Sequence, residues 1–170
     1  MFRFLFKLIL VTALFQTTLY AEDIKVFEFT DKELSELTVR KVRGADNKTE
    51  YSVGSNENGN YLKAIADNAA SGLGKEIKID LNKTPFINIT WKIEKDIPGI
   101  DETAKKGHDF AARVFVIKKT GATALSNRAV NYVFSSNQDV GSNSPSPYTK
   151  KSVDNAVSYT HLTLPTNREV

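Results

Sequence analysis

The chain has 170 residues, and its 23 basic and 20 acidic residues give a formal net charge of +3. Without three basic residues and one acidic residue in its terminal segments, the net charge falls to +1. The rest of the chain therefore lacks the excess of positive charge that is typical of nucleic-acid-binding proteins. The absence of cysteine excludes disulfides, a lipid-modified cysteine and a thiol nucleophile. A chain of this length suits one domain with its own core.

The N-terminus predicts a secretory signal peptide over residues 1–21. Arg3 and Lys7 give a positive start, and residues 8–15 form an apolar segment too short to span a bilayer. Ala21 supplies a small residue at the expected cleavage point. An uncleaved N-terminal anchor is the alternative. We therefore expect a periplasmic or secreted protein with no membrane span after the leader is removed.

The C-terminus predicts a tail that is not native. Residues 157–167 (VSYTHLTLPTN) resemble the in-frame translation of a common sequencing-adapter oligonucleotide, so residues 157–170 are set aside from the fold. The alternative is a genuine threonine-rich terminal strand. Residues 22–156 then form a single domain, which we expect to be truncated because the natural chain would continue beyond Ala156.

Short segments that alternate apolar and polar residues predict strands in the first half of the domain. Asp31 is the expected N-cap of a helical turn that follows the first of them. Trp91 alternates with isoleucines, which predicts a place in the core. The predicted strands lie at residues 23–30, 38–42, 49–53, 61–66, 77–81 and 86–94.

Residues 54–60 (GSNENGN) predict a hairpin turn, with Gly59 supplying a positive φ. Part of this segment resembles half of a calcium-binding loop. The first ligand position would fall on Gly54, however, and the closing glutamate position on Ile65. We therefore predict no cofactor and no metal ligands, with a structural calcium ion as an open alternative.

Residues 110–118 (FAARVFVIK) alternate without a break and predict the central strand. Phe110 would lie on a wholly apolar face, and Arg113 on the opposite face among apolar neighbours. A buried arginine needs a partner, because an unpaired buried charge is costly. Arg113 is therefore the most informative residue of the sequence.

Arg113 allows two interpretations. The structural one is a buried ion pair with an acid on another strand, either Glu94, Asp80 or a residue beyond the truncation. Asp109 shares its face but would lie about 13 Å away along an extended strand. The functional interpretation is a planar donor fork that grips a carboxylate, a sulfate or sugar hydroxyls on an open sheet face.

Residues 128–135 (RAVNYVFS) predict a further strand, in which Asn131 is an amide among apolar residues. A buried amide needs hydrogen-bond partners, and a neighbouring Arg113 would suit it. If the two strands are adjacent, a polar patch lines one sheet face, as in shallow sugar-binding surfaces. The predicted patch comprises Arg113, Asn131, Lys92 and Glu94.

Many short strands, turn signals about every 8–12 residues and no long amphipathic helix predict an all-β fold. The expected architecture is an antiparallel β-sandwich of the jelly-roll kind, incomplete at the C-terminus. Residues 136–151 are rich in Ser, Asn, Gly and Pro, and we expect them to be irregular.

Several short motifs resemble, in their order, the Domain of Unknown Function 3047 family of exported bacterial proteins. They are residues 70–73 (ASGL), Pro85 with 91–93 (WKI), 109–114 (DFAARV) and 131–133 (NYV). The resemblance runs from about residue 27 to residue 136, and the family pattern continues past the end of this chain. Two positions depart from the family: His108 stands where an acid is more common, and Phe134 where a tryptophan is. The resemblance implies an exported β-sandwich and no established activity or catalytic residues.

Motifs of metalloproteases, serine hydrolases, P-loop proteins and dinucleotide-binding proteins are absent from the sequence. His108 is the one histidine outside the C-terminal segment, so a catalytic triad would run through it. General acid–base catalysis would use Asp109, His108 and Glu94.

The leading hypothesis is an exported, non-catalytic β-sandwich protein that binds a glycan or another anionic ligand in the cell envelope. Its ligand-binding residues would be those of the polar patch. One alternative is an envelope polysaccharide hydrolase or lyase, and a second is a purely structural envelope protein. The even charge balance predicts no nucleic-acid partner.

Overall fold

The computed structural model describes residues 23–123 and 126–157, and the backbone of residues 164–166. The predicted signal peptide lies outside the described residues. The chain folds into two compact units, and the boundary between them lies between Phe86 and Ile87. Across the described part, the secondary structure is one short helix and ten short strands, which confirms the all-β prediction.

In the N-terminal unit, α1 (Asp31–Glu36) begins after its N-cap Thr30. The Thr30 hydroxyl accepts a hydrogen bond from Glu33 N at 3.1 Å, and the Glu33 carboxylate accepts one from Phe29 N at 2.9 Å. The first bond satisfies a backbone N–H that the start of a helix leaves unpaired, and the second holds the residue that precedes the N-cap. The predicted helical turn is therefore present, but its N-cap is Thr30 rather than Asp31.

A β-hairpin forms the longest ladder described in the N-terminal unit. Strands β2 (Glu50–Asn56) and β3 (Gly59–Ile65) pair antiparallel along their whole length. Gly59 has a φ of 108°, which this tight turn requires and which a residue with a Cβ rarely adopts. The predicted hairpin is confirmed, and its strands run further into the turn segment than the sequence pattern indicates.

Thr49 and Ser71 join this hairpin to a shorter ladder, in which β1 (Arg40–Lys41) pairs antiparallel with β4 (Ser71–Gly72). Thr49 N donates to Ser71 Oγ at 2.9 Å, and Ser71 N donates to Thr49 Oγ1 at 3.1 Å. These side-chain bonds replace the ladder that longer strands would form. An apolar–polar pattern does not predict them.

Two strands predicted for the N-terminal unit are wrong. Residues 23–30 and 77–81 form no strand, although both segments alternate apolar and polar residues. Ile77, Ile79 and Leu81 are 41–50% exposed, so their shared face is not buried. Alternation leads to a strand only where a neighbouring strand supplies hydrogen bonds and a packing surface.

The C-terminal unit is built on a four-stranded sheet. Its strands are β6 (Ala112–Lys118), β7 (Arg128–Phe134), β8 (Asn143–Pro145) and β9 (Ser152–Ala156), in the spatial order β6–β7–β9–β8. The pairs β6–β7 and β8–β9 are antiparallel, whereas β7 and β9 are parallel. The parallel pair departs from the antiparallel pairing expected from the sequence. It is possible because the long connection after β7 brings the chain back in the same direction.

A second, two-stranded sheet belongs to the same unit. β5 (Ile87–Ile89) pairs antiparallel with β10 (Leu164–Thr166), and β5 is shorter than the strand predicted over residues 86–94. Trp91 lies just beyond β5, partly buried, with its ring edge-on to Phe134 at a centroid distance of 6.1 Å. β10 lies within the segment predicted to be a non-native tail, whose origin stays a prediction.

The core of the C-terminal unit is centred on β7, which has a neighbouring strand on each side. Tyr132, Val133 and Phe134 are at most 6% exposed. Asn131 and Asp154 are buried beside them at 2% exposure each, so the core combines apolar packing with buried hydrogen bonds. The jelly-roll sandwich stays a prediction, because the described sheets have two or four strands each.

Candidate functional site

The strand register brings three polar side chains to one face of the four-stranded sheet. Phe115 on β6 is opposite Asn131 on β7, and Asn131 is opposite Asp154 on β9. Arg113 lies two residues before Phe115, so it shares this face. The sequence-based condition that the strands carrying Arg113 and Asn131 be adjacent is met. We call this surface the polar face.

A buried hydrogen-bond network crosses the polar face. Asn131 Nδ2 donates to Asp154 Oδ1 at 2.6 Å and to Ser152 Oγ at 2.8 Å. The other carboxylate oxygen of Asp154 lies 2.8 Å from His108 Nε2, and these two side chains are 2% and 3% exposed. Asn131 Oδ1 is buried and has no hydrogen-bond partner among the described residues. Asp154 is therefore the centre of the network.

The imidazole of His108 is held between two aromatic rings. Its centroid lies 5.2 Å from that of Phe110 and 5.3 Å from that of Tyr148, both in edge-on geometry. The Tyr148 hydroxyl donates to the backbone oxygen of Lys105 at 3.1 Å. These contacts and the Asp154 carboxylate fix the imidazole in one orientation.

The guanidinium of Arg113 lies over two rings, 4.7 Å from the centroid of Phe110 and 5.4 Å from that of Phe115. Its side chain forms no ion pair within the part of the chain that the structure describes. Burial lowers the pKa of Arg113 from its ordinary value, while the nearby charges of Asp154 and Asp109 act to raise it. Arginine stays charged at neutral pH, so the site keeps a half-buried cation.

Five side chains therefore form a continuous series of contacts, with successive members 4.7–5.4 Å apart. Its two ends are exposed, Tyr148 at 64% and Phe115 at 51%, whereas the side chains between them are partly or fully buried. We call this series the aromatic row; its members are Tyr148, His108, Phe110, Arg113 and Phe115.

The place of Phe110 in the aromatic row corrects the sequence-based prediction, which put it on the face opposite to Arg113. β6 begins only at Ala112, so residues before it do not follow strand alternation. The ring of Phe110 is 8% exposed and lies beneath the guanidinium instead of across the sheet from it. The Arg113 charge is thus supported by an aromatic face, whereas the structural interpretation of the sequence expected a carboxylate from another strand.

A second buried carboxylate anchors the loop that leads to His108. Glu102 is 3% exposed, and its oxygens accept hydrogen bonds from the Ser135 hydroxyl, from Asn137 Nδ2 at 3.1 Å and from Gln138 Nε2 at 2.9 Å. All three donors follow directly after β7. This cluster therefore ties the loop before β6 to the end of the central strand.

Two of the residues predicted for the polar patch lie apart from this network. Lys92 and Glu94 pair with each other at 3.4 Å, outside any strand, and their side chains are 64% and 75% exposed. Asp109 is also exposed, and its carboxylate accepts a hydrogen bond from Phe110 N at 2.9 Å. Of the predicted site residues, the structure brings together Arg113, Asn131 and His108, and it leaves the Lys92–Glu94 pair on the surface.

The sequence-based reasoning missed Asp154, Ser152 and Tyr148. Ser152 and Asp154 occupy the buried face of β9, which is polar, so the search for apolar alternation had no signal to find there. Tyr148 follows a proline in a segment whose composition predicted only a loop. The sequence offered one usable signal: a buried Asn131 needs a hydrogen-bond partner, and in the structure Asp154 is that partner.

The described residues contain no group of three or more His, Asp or Glu side chains placed to hold a metal ion. Residues 54–60, considered as a partial calcium loop, form the ends of β2 and β3 and the two-residue turn between them. No helix within the described ranges has the length and apolar character needed to cross a membrane.

The family model described as "Protein of unknown function (DUF3047)" matches residues 35–163 of the chain. The chain belongs to the DUF3047 family. The match includes every residue of the aromatic row and the buried network. Two motifs that carry the family resemblance, residues 109–114 and 131–133, supply Arg113 and Asn131 to the polar face of this DUF3047 chain. No curated protein and no solved structure matches it.

Proposed function

We propose that this DUF3047 protein is an exported, non-catalytic protein of the cell envelope that binds a glycan on its polar face. The observation that carries the proposal is the guanidinium of Arg113. It is half-buried, rests on the rings of Phe110 and Phe115, and has no ion-pair partner among the described residues.

The chemistry of this arrangement suits a sugar. A guanidinium that contacts aromatic rings and has no ion-pair partner can use its N–H groups to donate to ligand oxygens. Sugars present such oxygens as hydroxyl groups, and their C–H faces pack on exposed aromatic rings. Phe115 and Tyr148 offer rings of this kind at the two ends of the aromatic row.

The charges around Arg113 favour a glycan over a simple anion. Asp154 and Asp109 both lie close enough to act on its charge, so the positive charge of the guanidinium is partly offset. A free anion would meet two carboxylates beside one cation, and like charges at a binding surface disfavour association. Hydroxyl groups accept from the guanidinium without this repulsion.

A second candidate function, acid–base hydrolysis or elimination of a polysaccharide, has one observation in its favour. His108 and Asp154 form a close pair at 2.8 Å, an arrangement that orients a catalytic imidazole in many enzymes. Its alternative partners from the sequence, Asp109 and Glu94, are exposed and form no hydrogen bond with His108 in the described part of the chain. The 3% exposure of the His108 side chain is better suited to a support for Tyr148 and Phe110.

The proposal is tested by screening the full chain on a glycan array and measuring each hit by isothermal titration calorimetry. Replacement of Arg113 by alanine should weaken binding about 10- to 100-fold, the value of hydrogen bonds to a charged group. Arg128→Ala, an exposed arginine on the adjacent strand, is the matched control and should bind normally. Absence of any glycan ligand, or equal binding by the Arg113 variant, would refute the proposal.

The catalytic alternative is tested in parallel by incubating the array hits with the protein and following chain length by mass spectrometry. Turnover that is lost in Asp154→Asn, in a variant that still binds the glycan, would replace the binding proposal with the catalytic one. Intact glycans recovered after incubation support binding alone.

A further inference from the structure

The two exposed rings of the aromatic row lie at opposite sides of the polar face. Phe115 is on β6, the edge strand of the sheet, and Tyr148 is in the connection between β8 and β9, at the other side. Tyr148 is joined to the polar face through His108, which contacts Asp154 on β9. The row therefore crosses the sheet.

The strand order allows an estimate of the distance that the aromatic row spans across the sheet. β7 lies between β6 and β9, and neighbouring strands are about 4.8 Å apart, so Phe115 and the Asp154–His108 pair start from strands about 10 Å apart. The ring of Tyr148 lies one further contact, 5.3 Å, beyond His108. Arg113 is on β6 with Phe115, so the polar anchor is next to one ring and remote from the other.

From this geometry we infer that the ligand is an extended oligosaccharide with two stacking positions, one at Phe115 beside Arg113 and a second at Tyr148. The inference rests on the proposed function and specifies its ligand class. A single sugar ring covers one aromatic side chain and the guanidinium, but it does not reach the other end of the row. A chain of several sugar units reaches both.

The second stacking position, the ring of Tyr148, is exposed and is also held in place by its neighbours. The ring of Tyr148 packs on the edge of His108, its hydroxyl donates to the Lys105 carbonyl, and His108 is fixed by the buried carboxylate of Asp154. A ring that is 64% exposed yet held by a buried network is pre-organised, which lowers the entropy lost on binding. Loose surface tyrosines lack this support.

The test is a calorimetric titration with one oligosaccharide series, from the monosaccharide to the hexasaccharide, of the sugar selected on the array. We expect the affinity of the full chain to rise with ligand length until both rings are covered, and then to level off. Tyr148→Ala should reduce the affinity for long ligands about tenfold or more, as truncation of an aromatic anchor does, and leave monosaccharide binding unchanged. Phe115→Ala should weaken ligands of every length.

Two variants serve as controls. Tyr148→Phe keeps the ring but loses the hydrogen bond to the Lys105 carbonyl, so it should lose less long-ligand affinity than Tyr148→Ala. Phe86→Ala removes a phenylalanine of similar exposure, 52%, from the other unit and should bind normally. Equal affinity for short and long ligands, or unchanged long-ligand binding by Tyr148→Ala, would overturn the two-position inference while leaving glycan binding intact. Failure of every ligand length to bind would instead refute the proposed function itself.

Discussion

Asp154 binds His108 with one carboxylate oxygen and Asn131 with the other, at 2.8 Å and 2.6 Å. One almost fully buried side chain thus joins the loop before β6 to the two central strands of the sheet. A carboxylate in this position holds the polar face together, because each partner would otherwise be a buried polar group with fewer hydrogen bonds.

Replacement of Asp154 by alanine should therefore destabilise the protein strongly. Without this carboxylate His108 Nε2 stays buried without its partner and Asn131 loses one of its two acceptors, and each unsatisfied buried group costs about 1–3 kcal/mol. Urea denaturation followed by circular dichroism measures this loss. Asp139→Ala, at an exposed position of the same unit, should change the free energy of unfolding by no more than about 0.5 kcal/mol. A stable Asp154 variant would show that the network is dispensable.

The second prediction concerns Glu102 and a substitution that removes its charge but keeps the size of the side chain. Its carboxylate accepts from three neutral donors, so Glu102→Gln places an N–H₂ group among groups that also donate. We expect a loss of about 1–3 kcal/mol, the penalty for leaving buried hydrogen-bonding groups unsatisfied. Glu94→Gln is the control, since that side chain is 75% exposed. Equal denaturation midpoints for the two variants would contradict the anchoring role of Glu102.

The third prediction is a pH dependence at Glu33. The hydrogen bond from Lys75, at 2.6 Å, is the main cause that lowers the pKa of Glu33 below its ordinary value of 4.5. A lowered pKa in the folded protein means that the contribution of Glu33 to stability is full above pH 4.5. It is lost as the pH falls through the folded value.

The difference in unfolding free energy between the wild type and Glu33→Gln should therefore be present at neutral pH and disappear in acid. Urea titrations from pH 7 to pH 2 measure it, and titrations of Glu36→Gln, at an exposed position of the same helix, provide the baseline. A difference that grows as the pH falls would show that Glu33 does not act through its ionised form.

The fourth prediction distinguishes a role of Arg113 in ligand binding from a role in the stability of the fold. Because its guanidinium has no ion pair among the described residues and rests on aromatic rings, Arg113→Ala should cost only about 0.5–2 kcal/mol of stability, the range of a cation–π contact. Thermal denaturation measures this directly. A much larger loss, in a protein that binds no glycan, would favour the structural envelope protein that the sequence left as an alternative.

The sequence predicted the strands β6 and β7 because both carry β-branched and aromatic residues in alternation, and each is long enough for the pattern to be unambiguous. Adjacency of the strands that carry Arg113 and Asn131 was only a condition of the predicted patch, and the structure meets it. Their neighbourhood follows from the fact that two consecutive strands usually pair.

The partner of Asn131 was beyond the reach of the same reasoning. Ser152 and Asp154 are buried by hydrogen bonds and not by hydrophobicity, so their strand has no apolar face. The strand prediction for residues 77–81 was wrong for the opposite reason, because these residues have a clear apolar pattern but no neighbouring strand. In both cases the outcome depends on pairing with residues far away in the sequence, and a local pattern carries no information about such pairing.

The parallel alignment of β7 and β9 has a consequence for biogenesis. During synthesis from the N-terminus, β6 and β7 emerge before β9, and until then the Asn131 and His108 side chains lack the partners that β9 supplies. The polar face is therefore completed in a single late step, when residues 152–156 insert beside β7. A proteolytic cut in the connection between these strands would leave the hairpin of β6 and β7 intact and abolish the surface.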